Sequence, residues 1–354
     1  MSNLQAQEHG KLSFSQESPQ ALPSNQDTTM STTKSFLDLV KATDNYPLVD
    51  IARLPYVEET SKSLYRLLLP NDPRPHAFML PSVVQRMPWT SDFSISHAIP
   101  RTVQLLDSSN GADTAEVCNA AFRTVIDAAT EAQTFREFNK VWPEDYKILG
   151  ARYKGRVQLL RAAAGLFGIS CRGAHMTLYT RTELGELKIW VSRRSRQMVT
   201  WPGKLDTTVA GGVRAEESPF ECIVHEADEE ASLPESFVRK HARPVGVITY
   251  VAESAADSGG ELGLCVPDVL FCYDLEVTKD VIPKPHDDEV EAFYLMSTEE
   301  VKEALLREEF KTNCASVMID FFVRHGIITD DNEPDYLEIV TRLHRPLPVP
   351  TSAL

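Results

Sequence analysis

The stretch that most constrains the fold of this chain is a glycine turn followed by a helix with clear start and stop signals. The turn lies at residues 211–212, Ser218 suits the N-cap position, and Pro219 suits the first helical turn. Glu221 lies three residues after Ser218, which is the spacing of a capping box. Pro234 predicts that the helix has ended by that position. The sequence therefore predicts a tight turn that leads directly into one helix.

Three glutamates share one face of this predicted helix. Glu226, Glu229 and Glu230 are related as i, i+3 and i+4, so their side chains gather on one side and repel one another. Such a face is either a solvated surface or a cation site. A solvated face would normally carry Lys or Arg at i+4, whereas the cationic candidate here is His225. The missing countercharge favours a hard divalent cation such as Mg²⁺, which prefers oxygen ligands.

The segment resembles the Nudix box, a motif with rigid spacing. The motif reads Gly, five residues, Glu, seven residues, Arg-Glu, an aliphatic residue, any residue, Glu-Glu, any residue, Gly and an aliphatic residue. The matching positions in this chain are Gly211, Glu217, Glu226, Glu229, Glu230 and Leu233. His225 stands where the motif has Arg, Ala227 occupies an aliphatic position, and Ser232 replaces the last Gly. In the family the Arg orients the neighbouring Glu through a paired hydrogen bond, and an imidazole donates at most one such bond.

The resemblance implies roles for these residues. Those implied in catalysis or metal binding are Glu226, Glu229, Glu230, His225 and Gly211. Glu217 is expected to make a supporting contact, and Gly212 is expected to let the backbone approach the substrate closely. The metal is expected to be Mg²⁺, with Mn²⁺ as the alternative.

Two flanking segments carry charges that suit a substrate or a metal. Arg193, Arg194 and Arg196 form a dense basic cluster before the box. They are either the groups that hold substrate phosphates or a solvated turn. Glu289 and Glu291 follow the box, in a region where Nudix enzymes often place a further carboxylate. They are either a late metal ligand or base, or part of a solvated acidic loop.

The resemblance also implies the fold class, which is α/β (α+β). We expect a Nudix α/β/α sandwich with a mixed sheet, preceded by a smaller mixed α/β accessory domain. The predicted divisions are a disordered tail at 1–34, the accessory domain at 35–172, the Nudix hydrolase domain at 173–345 and a C-terminal tail at 346–354. Hydrophobic periodicity predicts helices at 114–129 and 313–324, and strands at 65–69, 76–80, 175–179, 187–191, 245–251 and 269–275.

The predicted accessory domain contains aromatic residues with two interpretations. They are Trp89, Phe93, Phe135, Phe138, Trp142 and Tyr146. They form either ordinary core or a surface on which an aromatic ring of a ligand stacks. Residues 74–78 and 142–146, and more closely the run at 192–212, resemble fungal and plant Nudix proteins described as related to thiamin pyrophosphokinase.

Composition limits the partners and the location. A formal net charge of -15 opposes general nucleic-acid binding, because phosphates would be repelled. No apolar run reaches the ~20 residues needed to span a bilayer. The six cysteines are scattered without CxxC pairing, which predicts reduced thiols in an intracellular protein. We expect a cytoplasmic protein, with the mitochondrion as the alternative, that is a monomer or a homodimer.

The activity that the resemblance implies is Mg²⁺-dependent hydrolysis of a small organic diphosphate. Damaged (oxidised) thiamin diphosphate, cleaved to the monophosphate and phosphate in metabolite repair, is the first expectation. A second is hydrolysis of nucleoside-diphosphate derivatives such as ADP-ribose. The remaining alternatives are a Nudix fold that binds a ligand without turning it over, and transfer of diphosphate from ATP to thiamin.

Overall fold

The computed structural model describes residues 34–47, 64–140, 142–256 and 259–353. Within them the chain has a mixed α/β fold with a four-stranded and a seven-stranded sheet, as predicted. The predicted disordered tail at 1–34 lies outside the described residues except for residue 34. None of the helices in the described part combines the length and the apolar character needed to cross a membrane.

The smaller sheet lies in the N-terminal part of the chain and has the strand order β2-β1-β4-β3. Its strands are β1 (Tyr65–Leu68), β2 (Pro75–Met79), β3 (Phe93–Ser96) and β4 (Thr102–Leu105). Strand β1 runs parallel to β4 and antiparallel to β2. Helix α2 (Pro81–Arg86) follows β2, and the long helix α3 (Thr114–Glu131) follows β4. Phe122 and Val125 of α3 are buried in one core with Leu67 of β1, so this helix and the sheet stabilise each other.

A short connecting region joins the two sheets. It contains a 3₁₀ turn at Arg136–Asn139, the antiparallel pair β5 (Asp145–Lys147) and β6 (Gln158–Leu160), a second 3₁₀ turn at Arg161–Ala163, and α4 (Ala164–Phe167). Leu159 and Phe167 are buried in the same core as the smaller sheet. The polar side chains of this region are therefore held on a packed base.

The larger sheet has the order β11-β12-β7-β8-β13, with β10 paired to β7 and β9 paired to β8. Its strands are β7 (Cys171–Arg181), β8 (Leu187–Arg194), β9 (Leu205–Asp206), β10 (Val209–Gly212), β11 (Arg243–Glu253), β12 (Cys265–Glu276) and β13 (Val290–Ser297). Strand β7 is parallel to β12 and antiparallel to β8 and β10. Because β7 has β12 on one side and β10 on the other, it brings those two strands to one site.

Helices cover both faces of the larger sheet. They are α5 (Pro219–Ala231) and α6 (Glu235–His241) on one face, and α1 (Phe36–Thr43), α7 (Thr298–Leu306), α8 (Thr312–Arg324) and α9 (Tyr336–Leu343) on the other. Alternation along β7 explains this division, since Met176 and Leu178 pack with α5 while Tyr179 packs against Phe321 of α8. Helix α1 buries Val40 in the core that contains α8.

The structure confirms the predicted helices and strands and corrects one detail of the capping. The helix α5 begins at Pro219, and the Ser218 hydroxyl accepts a hydrogen bond from the Glu221 N–H. The Glu221 carboxylate does not complete the capping box. It accepts two hydrogen bonds from Arg239 of α6 instead, at 2.8 and 2.7 Å, because α6 packs beside α5.

The aromatic residues of the N-terminal part divide between core and cavity. Phe93 and Phe135 are buried, and Trp89 and Phe138 pack against the same core. The other two, Trp142 and Tyr146, line a cavity between the connecting region and the larger sheet. Most of the predicted stacking surface is therefore core.

Candidate active site

A cavity of about 590 Å³ lies where the connecting region meets the larger sheet. Trp142, Tyr146 and Arg161 contribute to its wall from the N-terminal side. From the larger sheet and α5 come the glycines at 211–212 and two carboxylates, those of Glu226 and Glu229. The cavity therefore joins two parts of the chain that are far apart in sequence.

The two glycines of β10 are required by close contacts. A Cβ at Gly211 would lie 2.1 Å from Oε1 of Glu226, so only glycine lets α5 pack this close to the strand. A Cβ at Gly212 would lie 2.2 Å from the Tyr146 hydroxyl and 3.2 Å from Cζ of Arg161. The predicted close approach of the backbone is thus made to other parts of this chain.

Three of the predicted carboxylates line the cavity, and a fourth is buried next to one of them on α5. Glu226, Glu229 and Glu289 line the cavity, while Glu230 is buried beside them and accepts a hydrogen bond from the Ala210 N–H at 3.1 Å. Burial, and after it the negative charges of Glu229 and Glu289, raise the pKa of Glu226 to about 8. The pKa of Glu230 is also raised, first by burial and then by the charge of Glu226.

This donor set fits a hard divalent cation. Enclosed carboxylates such as Glu226 and Glu230, whose pKa values are raised first by burial and then by neighbouring negative charges, are unfavourable as anions unless a positive charge joins them. Their oxygen ligands are those that Mg²⁺ and Mn²⁺ accept. Glu226, Glu229 and Glu230 are the residues that would hold such an ion.

The positions at which the box departs from the motif have clear local roles. His225 is half exposed and its Nδ1 lies 3.5 Å from Oε2 of Glu217, whose Oε1 accepts a hydrogen bond from the Arg214 N–H at 2.9 Å. Ser232 ends α5 in the left-handed conformation, with φ of 53°, which explains why glycine suits this position. The Ser232 hydroxyl donates to the Lys284 carbonyl at 3.1 Å.

The predicted basic cluster is split by the geometry of β8. Arg194 lines the cavity and its Nη1 lies 3.1 Å from Oδ2 of Asp206. Its Nε is buried and has no hydrogen-bond partner among the described residues. Arg193 points to the other face of the strand, where it donates to the Gly203 carbonyl at 2.8 Å and lies over the Tyr294 ring.

Arg196 and Glu291 are placed away from the cavity. Arg196 follows the end of β8, and its side chain is 77% exposed. Its Nε lies 3.3 Å from Oε2 of Glu291, so these two predicted site residues pair with each other on the surface. Glu289 is two residues earlier and lines the cavity. The pairing of β13 with β8 shifts register between Val290 and Ala292, so Glu289 and Glu291 do not follow one regular alternation.

Arg161 is a site residue that the sequence did not indicate. Its guanidinium lies 4.4 Å from the centre of the Trp142 ring and 5.5 Å from that of Tyr146, and it pairs with Glu144. Burial raises the pKa of both Glu226 and Glu289, and the charge of Arg161 offsets part of that rise, so Arg161 acts on the carboxylate side of the cavity. The resemblance of residues 142–146 was the nearest sequence signal.

A second group of polar side chains lies behind Arg194. Ligand atoms of His175, Asp206 and Cys314 lie within 4.8 Å of one another, and all three residues are buried. The Cys314 thiol donates to Oδ1 of Asp206 at 2.6 Å. Burial opposes ionisation of Asp206, but Lys311, Arg194 and His175 together lower its pKa to about 2. This carboxylate already has cationic neighbours, and it positions Arg194 at the cavity.

The fold and the cavity together suit a class of protein that binds a divalent cation beside an anionic ligand. Carboxylates come from one helix, and Arg161 and Arg194 face them. Residues 173–314, which carry that helix, match the family model of the NUDIX domain. The predicted resemblance to the Nudix family is therefore confirmed for residues 173–314.

Three relatives are similar to this chain. The uncharacterized protein YJR142W of Saccharomyces cerevisiae is 40% identical over 217 residues, which cover 60% of this chain and 64% of the relative. Nudix hydrolase 20, chloroplastic, of Arabidopsis thaliana is 38% identical over 187 residues, covering 52% and 47%. Nudix hydrolase 24, chloroplastic, of the same plant is 37% identical over 185 residues, covering 52% and 48%. The chain thus spans less than two thirds of the length of each.

Proposed function

We propose that the cavity hydrolyses an organic diphosphate with the help of Mg²⁺, with Mn²⁺ as the alternative ion. The observation that carries the proposal is the set of buried carboxylates with raised pKa values that face two arginines across one cavity. The match of residues 173–314 to the NUDIX domain and the names of the two plant relatives support a diphosphate hydrolase.

In this proposal the α5 wall holds the metal. Glu226 and Glu230 coordinate it, Glu229 coordinates it or positions water, and Gly211 keeps the strand close enough for these contacts. When bound, the ion activates water and stabilises the charge that develops on the phosphate oxygens. Glu289, directly before β13, lines the same cavity and is the candidate proton acceptor from the attacking water.

The two arginines of the cavity are the groups proposed to bind the substrate phosphates. Arg194 offers a buried Nε that has no acceptor in the described part of the chain, and an anion would satisfy it. Arg161 is held in place by Glu144 and by the Trp142 ring, so its remaining N–H groups are preorganised toward the ligand. Arg193 and Arg196, which point elsewhere, are left out of this role.

Damaged thiamin diphosphate remains the first proposed substrate, and this choice rests on the sequence resemblance. ADP-ribose and related nucleotides are the second candidate class. A binding protein without turnover is the third, and the His225 and Ser232 departures favour it. The intact carboxylate set argues for catalysis.

The test is phosphate or nucleotide release from a panel of thiamin diphosphate, its oxidised forms, ADP-ribose and dinucleotides, with Mg²⁺ or with EDTA. We expect Mg²⁺-dependent release that Glu230→Gln abolishes while the variant remains folded. Glu291→Gln is the matched control, because that carboxylate pairs with Arg196 outside the cavity. Wild-type activity in Glu230→Gln would contradict the metal assignment, and a wide preference for ADP-ribose would contradict the substrate choice.

A further inference from the structure

Asp268 places a carboxylate in the same cavity, away from the predicted box. It lies on β12 and is paired in register with Cys171 of β7, whereas Gly212 of β10 is paired with Gly173. The two positions are thus on opposite sides of β7 and two residues apart along it. Sheet spacings of about 4.8 Å between strands and about 3.3 Å per residue put their Cα atoms on the order of 12 Å apart.

The Asp268 carboxylate accepts hydrogen bonds but has no ion-pair partner within the described part of the chain. Its Oδ2 accepts from the Tyr250 hydroxyl at 2.8 Å, and its Oδ1 accepts from the Val269 N–H at 2.8 Å. Among the residues that the structure describes, no Lys, Arg or His nitrogen lies within the 4.0 Å of an ion pair with it, including Lys311, which also lines the cavity. A carboxylate can accept about four hydrogen bonds, so acceptor capacity remains.

Burial disfavours the ionised form of Asp268 in the absence of a ligand. Burial raises its pKa, while the hydrogen bonds from Tyr250 and Val269 and the more distant charge of Lys311 lower it without cancelling that effect. A buried carboxylate is stabilised by a donor or a positive charge that shares its enclosure. The described residues that face Asp268 from β11 and β12 supply hydrogen-bond donors only.

Part of the wall between Asp268 and the box is made of small and apolar residues, beside the polar His175, Lys311 and Asn313. Gly173 and Leu270 lie between them on β7 and β12, and Gly165, Leu264 and Val266 complete this part of the lining. A Cβ at Gly173 would lie 2.9 Å from Leu270, so the cavity keeps its width here through a glycine. Such a wall fits the apolar body of an organic group rather than a second phosphate.

We propose that Asp268 is a specificity-determining residue that receives a nitrogen group, cationic or rich in N–H donors, on the organic part of the diphosphate substrate. This inference rests on the proposed function, because the diphosphate end is assigned to the α5 wall and the arginines. It defines a substrate class: an organic diphosphate whose apolar ring system carries a basic or amino nitrogen. Organic diphosphates without such nitrogen leave Asp268 without a partner.

The experiment measures binding to the full-length chain by calorimetry, with Ca²⁺ in place of Mg²⁺ to slow turnover. The probes are thiamin diphosphate, which carries a cationic ring and an amine, and inorganic diphosphate, which carries neither. Asp268→Asn keeps the size of the side chain and removes its charge. Glu276→Gln, on the same strand but exposed and outside the cavity lining, is the matched control.

We expect Asp268→Asn to weaken thiamin diphosphate binding by about 10- to 100-fold and to leave inorganic diphosphate binding unchanged. Glu276→Gln should leave both unchanged. An equal loss for both probes, an unchanged affinity for thiamin diphosphate, or no binding of thiamin diphosphate by the wild type would overturn the inference. If binding depends on Asp268 but no compound of the panel of organic diphosphates is hydrolysed in Mg²⁺, the proposed function is contradicted while the inference about Asp268 stands.

Discussion

The two walls of the cavity differ in how their charges are balanced. On the α5 wall, Glu226 and Glu230 are buried with other carboxylates, and their pKa values are raised. On the N-terminal wall, Arg161 is paired with Glu144 and stacked on Trp142. The negative charges of the α5 wall need a cation to balance them, whereas Arg161 on the N-terminal wall is already balanced by Glu144. We infer that the metal belongs to the α5 wall and that substrate phosphates lie between the two.

The difference between the two walls is tested most strongly by removing Arg161, the cation of the N-terminal wall, and measuring activity. Arg161→Met alone would leave the half-buried Glu144 unpaired, so the double variant Glu144→Gln/Arg161→Met is the cleaner test. We expect kcat/KM to fall by about 10- to 100-fold, because a charge-assisted contact to phosphate is lost.

The control for this prediction is Arg193→Met. Arg193 also lies over an aromatic ring, that of Tyr294, but points away from the cavity. Its variant should retain nearly wild-type kcat/KM. Equal losses in the two variants would show that Arg161 acts through stability and not through the substrate.

The next effect is on the stability of the fold and comes from the group behind Arg194. Burial lowers the pKa of His175 from 6.5 to about 4, so the unfolded chain binds a proton more readily than the folded chain between these values. The neutral His175 therefore costs the fold nothing above pH 6.5. As the pH falls from 6.5 toward 4, the free energy of unfolding decreases by at most about 3 kcal/mol.

Urea unfolding of the wild type and of His175→Asn across this pH range checks the prediction. The difference in unfolding free energy between the two should shrink as the pH falls. His344→Asn, which changes an exposed histidine, should run parallel to the wild type. A constant difference between wild type and His175→Asn would show that this imidazole titrates normally.

The smallest expected effect concerns the end of α5. Ser232 adopts a left-handed conformation that glycine adopts without steric cost. Ser232→Gly should raise the free energy of unfolding by about 1 kcal/mol through relief of the backbone. Loss of the exposed hydrogen bond from the Ser232 hydroxyl to the Lys284 carbonyl offsets part of this gain. Ser232→Ala keeps the strained backbone and loses that bond, so it should lower stability. The reverse order of the two variants would contradict this explanation.

The sequence predicted what depends on local spacing. The α5 helix, its N-cap and the shared face of Glu226, Glu229 and Glu230 follow from residues within a few turns of each other, and they are found as predicted. The strand β8 was also predicted, but which of Arg193 and Arg194 faces the cavity depends on how the strand is seated in the sheet. A shift of one residue in the pairing of the strand would turn Arg193 toward the cavity and Arg194 away from it.

The residues that the sequence did not predict are brought to the cavity by long-range pairing. Arg161 precedes β7 and reaches Gly212 only because the connecting region packs on the sheet. Asp268 reaches the cavity through the parallel pairing of β7 with β12. No local periodicity marks either residue, so a single sequence carries no signal for them.

The most direct test of the central claim is a titration of the full-length chain with Mn²⁺, followed by calorimetry or by the loss of free Mn²⁺ signal. The carboxylates of the α5 wall should give saturable binding in the wild type, and Glu226→Gln should weaken it by at least about 10-fold because one charged ligand is removed. Glu291→Gln should bind like the wild type. Equal Mn²⁺ affinity in the wild type and in Glu226→Gln would contradict the assignment of the metal to this wall.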